Sequence, residues 1–338
     1  MTAEAETLAE RLAGKRIAIV GDLVADQFLS GTISRVSREA PVFILRHDET
    51  ETRPGGAANA AVNVAMLGGV PLLIGCVGDD EAGRLLRQSL AAFSVGLDRI
   101  ETLPSAQTTR KVRVLAGQHY APRQQVIRID YESHVPQPEE LERLLAAHID
   151  DACRTADAIV VSDYGYGVVT AGTFERARKA AAEAGVPLIL DSRFRLGEFH
   201  GATSATPNQE EVEQLLGPDF TDADCVRLLD RLGLETLLVT RGNAGMTVVS
   251  RGSVPRHIDA VGSRSPVDVT GAGDTVIAAY SLSLAAGFDH FTAAEIANHA
   301  GSIVVMKKGT AAASINELAD SFRETNRLLG DTAAPARQ

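Results

Sequence analysis

Short apolar runs and amphipathic segments alternate along most of the chain. The apolar runs are typical of buried strands in a parallel sheet and lie at 16–20, 71–77, 158–162, 187–191 and 236–240. Segments with helical spacing of apolar residues separate them, at 57–67, 79–93, 141–153, 171–184, 210–216, 222–232 and 293–306. This alternation predicts an α/β fold: a three-layer, doubly wound, mostly parallel sheet with right-handed crossovers and helices on both faces.

Two segments interrupt the alternation, at about 28–46 and 108–130, and both have the pattern of β-strands rather than of crossover helices. We expect them to pair as one small sheet, inserted twice into the α/β body, that acts as a lid. A hairpin at 246–258 follows the last parallel strand. Because no long linker or internal repeat is evident, the sequence predicts a single domain at 10–320 and a disordered Ala/Pro-rich tail at 325–338.

Composition and charge narrow the class of protein. The 338 residues are 45% hydrophobic and 23% charged, and the formal net charge is −11. This charge argues against general binding to nucleic acid or anionic membranes, but it leaves room for a phosphorylated substrate. The cysteines, Cys76, Cys153 and Cys225, have the spacing of neither a zinc site nor a disulfide framework. With no signal-like or membrane-spanning apolar run, we expect a cytoplasmic globular protein.

The strongest candidate for chemistry is the run Asp268-Val269-Thr270-Gly271-Ala272-Gly273-Asp274, which precedes an apolar helical pattern. With Thr270 as the N-cap, the next three residues form the first turn, and their unbonded N–H groups at the positive helix end make an anion pocket. The Asp274 carboxylate beside that pocket is a candidate base for an attacking hydroxyl. The alternative is an ordinary capped helix in which Asp274 only interacts with the dipole.

A second glycine turn, Gly55-Gly56-Ala57-Ala58-Asn59, precedes another helical segment. Its backbone offers N–H donors, and the Asn59 amide is suited to sugar hydroxyls, although a Gly-Gly pair more often serves only as a helix-capping turn. Asp22 directly follows the first strand, at the edge where open α/β sheets bind ligands. For Asp22 alone, ligand binding and capping of the next turn are equally good interpretations.

Other polar turns follow strands at the same predicted sheet edge: Asp163, Asp191, Asn208 and Thr240 through Gly245. Carboxylates, amides and glycine N–H groups gathered there suit phosphoryl transfer. The chain has no GxxxxGK[ST] loop and no HRD or DFG motif. The second lid segment is basic, with Arg110, Lys111, Arg113, Arg123 and Arg128. A solvated strand face with alternating charges accounts for about half of them.

These motifs resemble those of the ribokinase-like (PfkB) carbohydrate kinase family. The run ending at Asp274 is similar to its second signature, and the run from Gly55 to Asn59 resembles its first. Thr206-Pro207-Asn208-Gln209-Glu210-Glu211 is similar to the NPNxxE motif, and Val239-Thr240-Arg241-Gly242 with Gly245 resembles the nucleotide-binding turn. The motifs occur in family order over nearly the whole chain. The resemblance implies a ribokinase-like fold and an ATP-dependent sugar kinase.

The resemblance also implies roles for particular residues. Asp274 is then the base, and the anion hole for the transferring phosphoryl group is formed by Gly271, Ala272 and Gly273. Asn208 and Glu211 organise Mg²⁺ through water. The nucleotide is lined by Thr240, Gly242, Gly245 and Asn298. The sugar is held by Asp22, Gly55, Gly56 and Asn59. The backbone around Asp268 and Gly309 is a candidate loop for a monovalent cation such as K⁺, and pairing of lid sheets implies a homodimer.

Within this family, three stretches resemble the kinases of D-glycero-D-manno-heptose 7-phosphate, which act in lipopolysaccharide-type heptose synthesis. The stretches lie at 21–26 together with 34–42, at 109–115 and at 124–130. They imply phosphorylation of the anomeric hydroxyl, giving the 1,7-bisphosphate, with the existing phosphate near Lys111 and Arg128. Tyr166 and Ser192-Arg193 stand where those kinases usually have Lys and Pro-Lys.

Bifunctional relatives of these heptose kinases also carry a nucleotidyltransferase domain with an HxGH motif, which this chain lacks, so we expect the kinase part alone. The alternatives are a kinase of the same fold for another sugar, sugar phosphate or nucleoside, and a catalytically silent sugar-binding protein.

Overall fold

The computed structural model describes residues 3–118, 123–263 and 265–332. Its strands are β1 (Arg16–Gly21), β2 (Leu23–Val36), β3 (Phe43–Gly56), β4 (Val70–Gly78), β5 (Ile100–Leu103), β6 (Arg110–Gly117), β7 (Gln124–Tyr131), β8 (Ala158–Asp163), β9 (Leu188–Ser192), β10 (Ser204–Ala205), β11 (Thr236–Thr240), β12 (Met246–Ser250) and β13 (Arg256–Ile258). Its helices are α1 (Ala3–Leu12), α2 (Ala57–Met66), α3 (Glu81–Ala92), α4 (Pro138–Cys153), α5 (Ala171–Ala184), α6 (Gln209–Leu216), α7 (Asp222–Leu232), α8 (Ala272–Ala285), α9 (His290–Val304) and α10 (Ile315–Thr332).

The body is a nine-stranded sheet in the order β13-β12-β11-β10-β9-β8-β1-β4-β5. All neighbours from β11 to β5 pair in parallel, and the β11–β12–β13 meander is antiparallel. Residues 17–20 of β1 are fully buried because helices cover both faces of the sheet. One core packs under α2, α8 and α9, and the other under α4, α5 and α7. The α/β prediction is therefore confirmed.

A separate four-stranded sheet has the order β3-β2-β6-β7. It joins the two predicted lid segments, since β2 pairs in parallel with β6, and β3 and β7 pair antiparallel on either side. The register sets Asp26 opposite Lys111, and Lys111 opposite Asp130, on one face. β2 starts at Leu23, immediately after β1, and β3 runs to Gly56. The lid strands therefore lead directly into the glycine turn before α2.

Some elements were not predicted. β5 is short, and α10 starts at Ile315, ten residues before the predicted tail, and runs into it. α10 is amphipathic, with Leu318 and Ala319 buried, and its contacts with α1 and α9 account for its order. It extends to Thr332, so part of the expected tail is helical, and 333–338 lie outside the described residues. The domain bounds of 10–320 stay a prediction. No helix in the described part of the chain has the length and apolar character needed to cross a membrane.

Candidate active site

Helix α8 begins one residue later than predicted. Its N-cap is Gly271, with φ 77°, and not Thr270, whose predicted capping role is wrong. The Thr270 N–H donates to Asp268 Oδ1 (2.9 Å), which closes a turn before the helix and places Gly271 in the left-handed region. A side chain at position 271 would also bring a Cβ within 2.5 Å of Asn59 Nδ2. Glycine is therefore required here by both backbone conformation and space.

This helix entrance leaves backbone donors unused. The Ala272 N–H bonds to the Val269 carbonyl (3.2 Å), whereas the N–H groups of Gly271, Gly273 and Asp274 have no acceptor within the described residues. Unpaired amides at a helix N-terminus favour an anion, through both hydrogen bonds and the helix dipole. The turn is thus an anion pocket in which Ala272 is already engaged.

The Asp274 carboxylate lies beside this pocket and is only 4% exposed. Its Oδ2 accepts a hydrogen bond from Asn59 Nδ2 (2.8 Å), and its Oδ1 accepts one from the Tyr164 hydroxyl (2.8 Å). Burial raises the pKa of Asp274 to about 6, while these two donors and Arg193 oppose the rise. At neutral pH the group is therefore an ionised carboxylate with a pKa suited to accepting a proton.

A polar network behind Asn59 locks α2 to α8. The Asn63 amide donates to Asn59 Oδ1 (3.2 Å), and Asn63 Oδ1 accepts from the Thr275 hydroxyl (3.0 Å) and the Ala313 N–H (3.2 Å). Each of these buried polar groups has a hydrogen-bond partner, so the network holds the Asn59 amide in the position where it contacts Asp274. The role of Asn63 in the site was not predicted from the sequence. The feature that could have indicated it is a second asparagine one helical turn after Asn59 in an alanine-rich helix.

Asp22 is 1% exposed and holds a loop. Its carboxylate accepts hydrogen bonds from the backbone N–H groups of Tyr164 (2.8 Å), Tyr166 (3.1 Å) and Val168 (3.1 Å). Burial raises the pKa of Asp22 to about 6 despite these donors. The Asp22 carboxylate does hold a loop, but it is the loop after β8 and not the turn that follows Asp22 in the chain. A direct contact between Asp22 and a sugar stays a prediction.

The Gly55-Gly56 turn is tightly surrounded. A Cβ at Gly55 would lie 2.7 Å from Asp26 Oδ2. Gly56 has φ 59°, and a Cβ there would lie 2.8 Å from the Asp22 carbonyl oxygen and 3.4 Å from the Tyr164 ring. The glycine pair lets the lid, the first strand and the loop after β8 approach one another closely beside Asp274.

Most lid cations are neutralised within the lid. Arg113 forms a buried ion pair with Asp26 (2.6 Å), and Asp26 also accepts from the Thr310 hydroxyl (2.7 Å). Arg123 pairs with Asp48 at 2.8 Å, and the half-exposed Arg128 pairs with Asp130 at 2.9 Å.

Lys111, half-buried, lies 5.6 Å from the Tyr164 ring and has no ion-pair partner among the described residues. Burial lowers the pKa of Lys111, and the nearby Arg193 adds to this effect. Of the two residues predicted to bind a substrate phosphate, Lys111 is the one with a free charge.

Asn208 and Glu211 form a reciprocal capping box at the start of α6. Asn208 Oδ1 accepts from the Glu211 N–H (2.9 Å), and the Glu211 carboxylate accepts from the Asn208 N–H (2.9 Å) and amide (2.8 Å). Burial, with the carboxylates of Glu211 and Asp274, raises the pKa of Asp191 well above its usual value, while Arg193 opposes the rise. No group of three or more potential ligands in the described residues forms a metal cage.

The predicted nucleotide turn follows β11. Thr240 and Asn208 form an isolated parallel β-bridge through their backbones. Gly242 and Gly245 both have positive φ, 55° and 86°. A Cβ at Gly245 would lie 2.0 Å from the Ile258 carbonyl oxygen. The Asn298 amide donates to the Asp259 carbonyl (2.7 Å). These contacts order the turn, and nucleotide binding by its residues stays a prediction.

Asp268 connects the turn before α8 to the loop at Gly309. Its carboxylate accepts from the N–H groups of Thr270 and Gly309, each at 2.9 Å. Burial tends to raise the pKa of Asp268, but these donors lower it below its usual value. Arg53 also donates to the carbonyls of Lys308 (3.0 Å) and Thr310 (3.1 Å), which ties the lid to the same loop. A monovalent cation at this loop stays a prediction.

An anion pocket beside a buried carboxylate, at the carboxyl edge of a parallel sheet and below a β-sheet lid, is characteristic of small-molecule phosphotransferases. Residues 15–317 match the pfkB family of carbohydrate kinases, and the chain belongs to that family. It is therefore a carbohydrate kinase, which confirms the predicted family and enzyme class.

Similar proteins of known sequence include two named "Bifunctional protein HldE". The protein from Gluconobacter oxydans is 38% identical over 94% of this chain and 66% of its own length. The protein from Nitrosococcus oceani is 40% identical over 90% of this chain and 63% of its own length. The chain thus spans just under two thirds of the length of these relatives.

Solved structures confirm the ribokinase-like fold. Escherichia coli phosphofructokinase-2 in complex with potassium superposes with a TM-score of 0.72 at 20% identity, covering 93% of this chain and 100% of that one. Arabidopsis thaliana ribokinase, complexed with ribose and ATP, gives a TM-score of 0.70 at 21% identity, covering 92% and 99%.

Proposed function

We propose that the chain is the ATP-dependent kinase that phosphorylates the anomeric hydroxyl of D-glycero-D-manno-heptose 7-phosphate, giving the 1,7-bisphosphate for lipopolysaccharide-type heptose synthesis. Lys111 carries the proposal. It is a half-buried lysine of the lid, 5.6 Å from the ring of Tyr164, and it forms no ion pair with any described residue. The chain around it has a net charge of −11. A phosphorylated sugar gives this cation a partner, whereas a neutral sugar leaves it unpaired. The similarity to proteins named HldE supports the same substrate.

In this proposal, Asp274 takes the proton from the anomeric hydroxyl as the hydroxyl oxygen attacks the terminal phosphorus of ATP. The bond between that phosphorus and the bridging oxygen breaks, and ADP leaves with the bond's electron pair. The free N–H groups of Gly271, Gly273 and Asp274 stabilise the negative charge on the transferring phosphoryl group. The Asn59 amide holds the base in place through its 2.8 Å hydrogen bond. The lid places the sugar between these groups and Lys111.

The acidic residues near the anion pocket fit a nucleotide with Mg²⁺. Burial and the nearby carboxylates of Glu211 and Asp274 raise the pKa of Asp191 well above its usual value. Such a site favours a cation, and Mg²⁺ commonly keeps its waters and binds through phosphates and only one or two carboxylates. MgATP supplies the phosphoryl group when bound. Asn208 and Glu211 would hold Mg²⁺ through water, and Thr240, Gly242, Gly245 and Asn298 would line the nucleotide.

A coupled ADP-release assay tests the substrate. The panel contains the heptose 7-phosphate, the same heptose without phosphate, ribose, fructose, fructose 6-phosphate and a nucleoside. We expect the highest kcat/KM for the heptose 7-phosphate. Lys111→Met is expected to raise KM for the phosphorylated heptose about 10-fold or more, as expected for loss of a charge-assisted contact, with less effect on the free heptose. Arg128→Met, which removes a half-exposed paired cation, should have a smaller effect. Faster turnover of ribose or fructose would refute the proposal.

Asp274→Asn distinguishes a kinase from a silent sugar-binding protein. The amide preserves shape but cannot accept the sugar proton, so we expect kcat to fall about 10²–10⁴-fold. Sugar affinity, measured by calorimetry, should change little. Unchanged activity in this variant would contradict the role of Asp274 as a base.

We also propose a homodimer formed through the lid sheet. Exposed apolar residues concentrate on β2, β3 and β7, namely Val36, Phe43, Val126, Ile127 and Ile129. Light scattering should give the mass of a dimer, and Ile127→Glu should shift it to that of a monomer. A monomer in the unaltered protein would exclude this assembly.

A further inference from the structure

Tyr164 is the side chain at which the parts of the site meet, although no sequence motif singled it out. Its hydroxyl donates to Asp274 Oδ1 at 2.8 Å. Its ring lies under two cations, Lys111 from the lid at 5.6 Å and Arg193 from the loop after β9 at 5.5 Å. Gly56 leaves the space that the ring needs, because a Cβ there would lie 3.4 Å from it. Helix α8, the Gly55-Gly56 turn and the lid therefore all lie close to the Tyr164 side chain.

The backbone of Tyr164 is fixed independently of Asp274. The buried Asp22 carboxylate holds the N–H groups of Tyr164 and of two later residues in the same loop. At the start of the loop, Asp163 accepts from the Gly165 N–H (3.1 Å) and from the Arg195 guanidinium (2.5 Å). A tyrosine ring has few rotatable bonds, so a loop held at these points gives the hydroxyl a defined position.

Asp274 receives its two donors from different elements. Asn59, on α2, holds Oδ2, and Tyr164, on the loop after β8, holds Oδ1. With Asn59 alone, the carboxyl group could still rotate about its final bond, because such torsions are broad. The second donor on the other oxygen removes this freedom and leaves lone pairs on both oxygens for a substrate hydroxyl.

We propose that Tyr164 is a positioning residue for the base: its hydroxyl fixes the orientation of the Asp274 carboxylate and keeps that carboxylate ionised for proton transfer from the sugar. The inference rests on the proposed function for its catalytic consequence, but the hydrogen bond itself does not depend on which sugar is bound.

The groups around Asp274 determine in which direction its pKa should change when the Tyr164 hydroxyl is removed. Asp26 on β2 disfavours its ionised form, and Arg193 favours it. Asp274 itself raises the pKa of Asp191 on β9. Burial also disfavours ionisation, and the donors Asn59 and Tyr164 oppose burial. Since all other groups stay in place, loss of the Tyr164 hydroxyl must make Asp274 easier to protonate.

The test is Tyr164→Phe, which removes only the hydroxyl. In protein labelled with ¹³C at aspartate carboxyls and free of sugar, the Asp274 signal is assigned by its loss in Asp274→Asn. We expect its titration midpoint to rise by about one pH unit, the effect of one hydrogen bond to a carboxylate. In the kinase assay, with whichever sugar the unaltered protein phosphorylates, kcat should fall most at acid pH and recover in part at higher pH. KM for ATP should stay unchanged.

Tyr166→Phe is the matched control, because the Tyr166 hydroxyl donates to Glu132 (3.2 Å) and not to Asp274. It should leave the Asp274 midpoint unchanged. Incorporation of 3,5-difluorotyrosine at position 164 retains the shape with a stronger donor, and should lower the midpoint. This variant keeps the test informative if Tyr164→Phe does not fold.

An unshifted midpoint in Tyr164→Phe, or a loss of kcat that is equal at all pH values, would overturn the inference. The titration needs no sugar, so its outcome is separate from the substrate assay. If the unaltered protein does not phosphorylate the heptose 7-phosphate, the proposed function fails while the positioning role of Tyr164 is still decided by the ¹³C midpoint.

Discussion

The helices that meet at Asp274 begin differently from three helices elsewhere in the described chain. α2 and α8, which meet at Asp274, start from glycines with positive φ, Gly56 and Gly271, and neither has a side-chain cap. α5, α6 and α7 start from reciprocal capping boxes built on Thr170, Asn208 and Thr221. The first kind leaves N–H groups for a ligand, and the second satisfies them within the chain.

The two kinds of entrance also differ in their contribution to stability. A capping side chain typically contributes about 1 kcal/mol, and α2 and α8 lack this contribution at the point where they face the site. α6 is intermediate, because it lies near Asp191 and Arg193 but is fully capped. Asn208 and Glu211, both predicted to serve the nucleotide, are engaged with each other. Substitutions at the two kinds of entrance should therefore have different consequences.

The largest effect is expected from Gly271→Ala. Alanine disfavours φ 77°, and its Cβ would lie 2.5 Å from Asn59 Nδ2, which would displace both the anion pocket and the amide that holds Asp274. We expect kcat to fall about 10²–10³-fold, similar to loss of an oxyanion donor. Gly273→Ala is the matched control, because its Cβ would meet no atom within 4 Å. Equal losses in steady-state kcat for both variants would contradict a special role for the Gly271 entrance.

The next largest effect is expected in the pH dependence of kcat/KM. It depends on the difference between a capping carboxylate, Asp224, and the buried carboxylate of Asp274. Hydrogen bonds from Thr221 hold the pKa of the capping carboxylate Asp224 below its usual value, whereas burial raises that of Asp274 to about 6. Since the base must be ionised, kcat/KM should fall roughly tenfold per unit below about pH 6.

The contribution of the buried carboxylates to the free energy of unfolding should change with pH in the opposite direction to kcat/KM. The pKa values of Asp22 and Asp274, raised from 3.8 to about 6, mean that the folded state binds more protons than the unfolded state between these values. These two groups therefore favour folding at low pH, and their contribution is lost as pH rises through about 6. Asp224, whose pKa is lowered by folding, instead stabilises the folded state above about pH 4, and this stabilisation is lost as pH falls further. Thermal unfolding of Asp22→Asn and Asp224→Asn across pH 2.5 to 7 would measure both signs, the Asp224 effect below about pH 4 and the Asp22 effect between about pH 4 and 6. Equal slopes would refute the contrast.

A smaller, several-fold effect is expected from Glu211→Gln. Glutamine can replace glutamate in a capping box, so the helix entrance should be retained while the charge is lost. If Glu211 organises Mg²⁺ through water, half-maximal activity should require about 3–10-fold more Mg²⁺, a loss in the range found for outer-shell metal contacts. A Mg²⁺ dependence identical to that of the unaltered protein would assign Glu211 to capping alone.

The smallest effect on activity is expected from Thr221→Ala, at an entrance far from Asp274. Loss of the cap should destabilise folding by about 1 kcal/mol in urea unfolding, while kcat and KM stay unchanged. Thr170→Ala provides a second case of the same kind. A clear fall in kcat in a stably folded Thr221→Ala protein would show that capped entrances also affect catalysis.

Local sequence was sufficient for most strands and helices of the α/β body. The bounds of α5, α7 and β11 follow from apolar spacing between glycine and threonine signals, because those signals act within a few residues. The run ending at Asp274 predicted the anion pocket for the same reason. It did not distinguish Thr270 from Gly271 as the cap, because the side chain of Asp268 decides which residue turns left-handed.

Contacts between distant segments could not be read from the sequence. The Tyr164 hydroxyl reaches Asp274 across 110 positions, and Asn59 reaches it across 215. Asp22 had two equally good interpretations until the structure placed its carboxylate against the backbone of the loop after β8. Tyr164, in particular, had no signal beyond its place in a polar turn after a strand.

The alternation of strands and helices, the two lid segments and the family motifs can be read from the amino-acid order, because they depend on residue type at short spacing. Which charges lack a partner depends instead on contacts that form on folding. Arg113 and Lys111 are two residues apart in the same basic strand, yet Arg113 is neutralised by Asp26 in the neighbouring strand and Lys111 is not. The physical reason is that the energy of a charge depends on its burial and on its neighbours in space, which sheet register and the packing of the lid on the body establish.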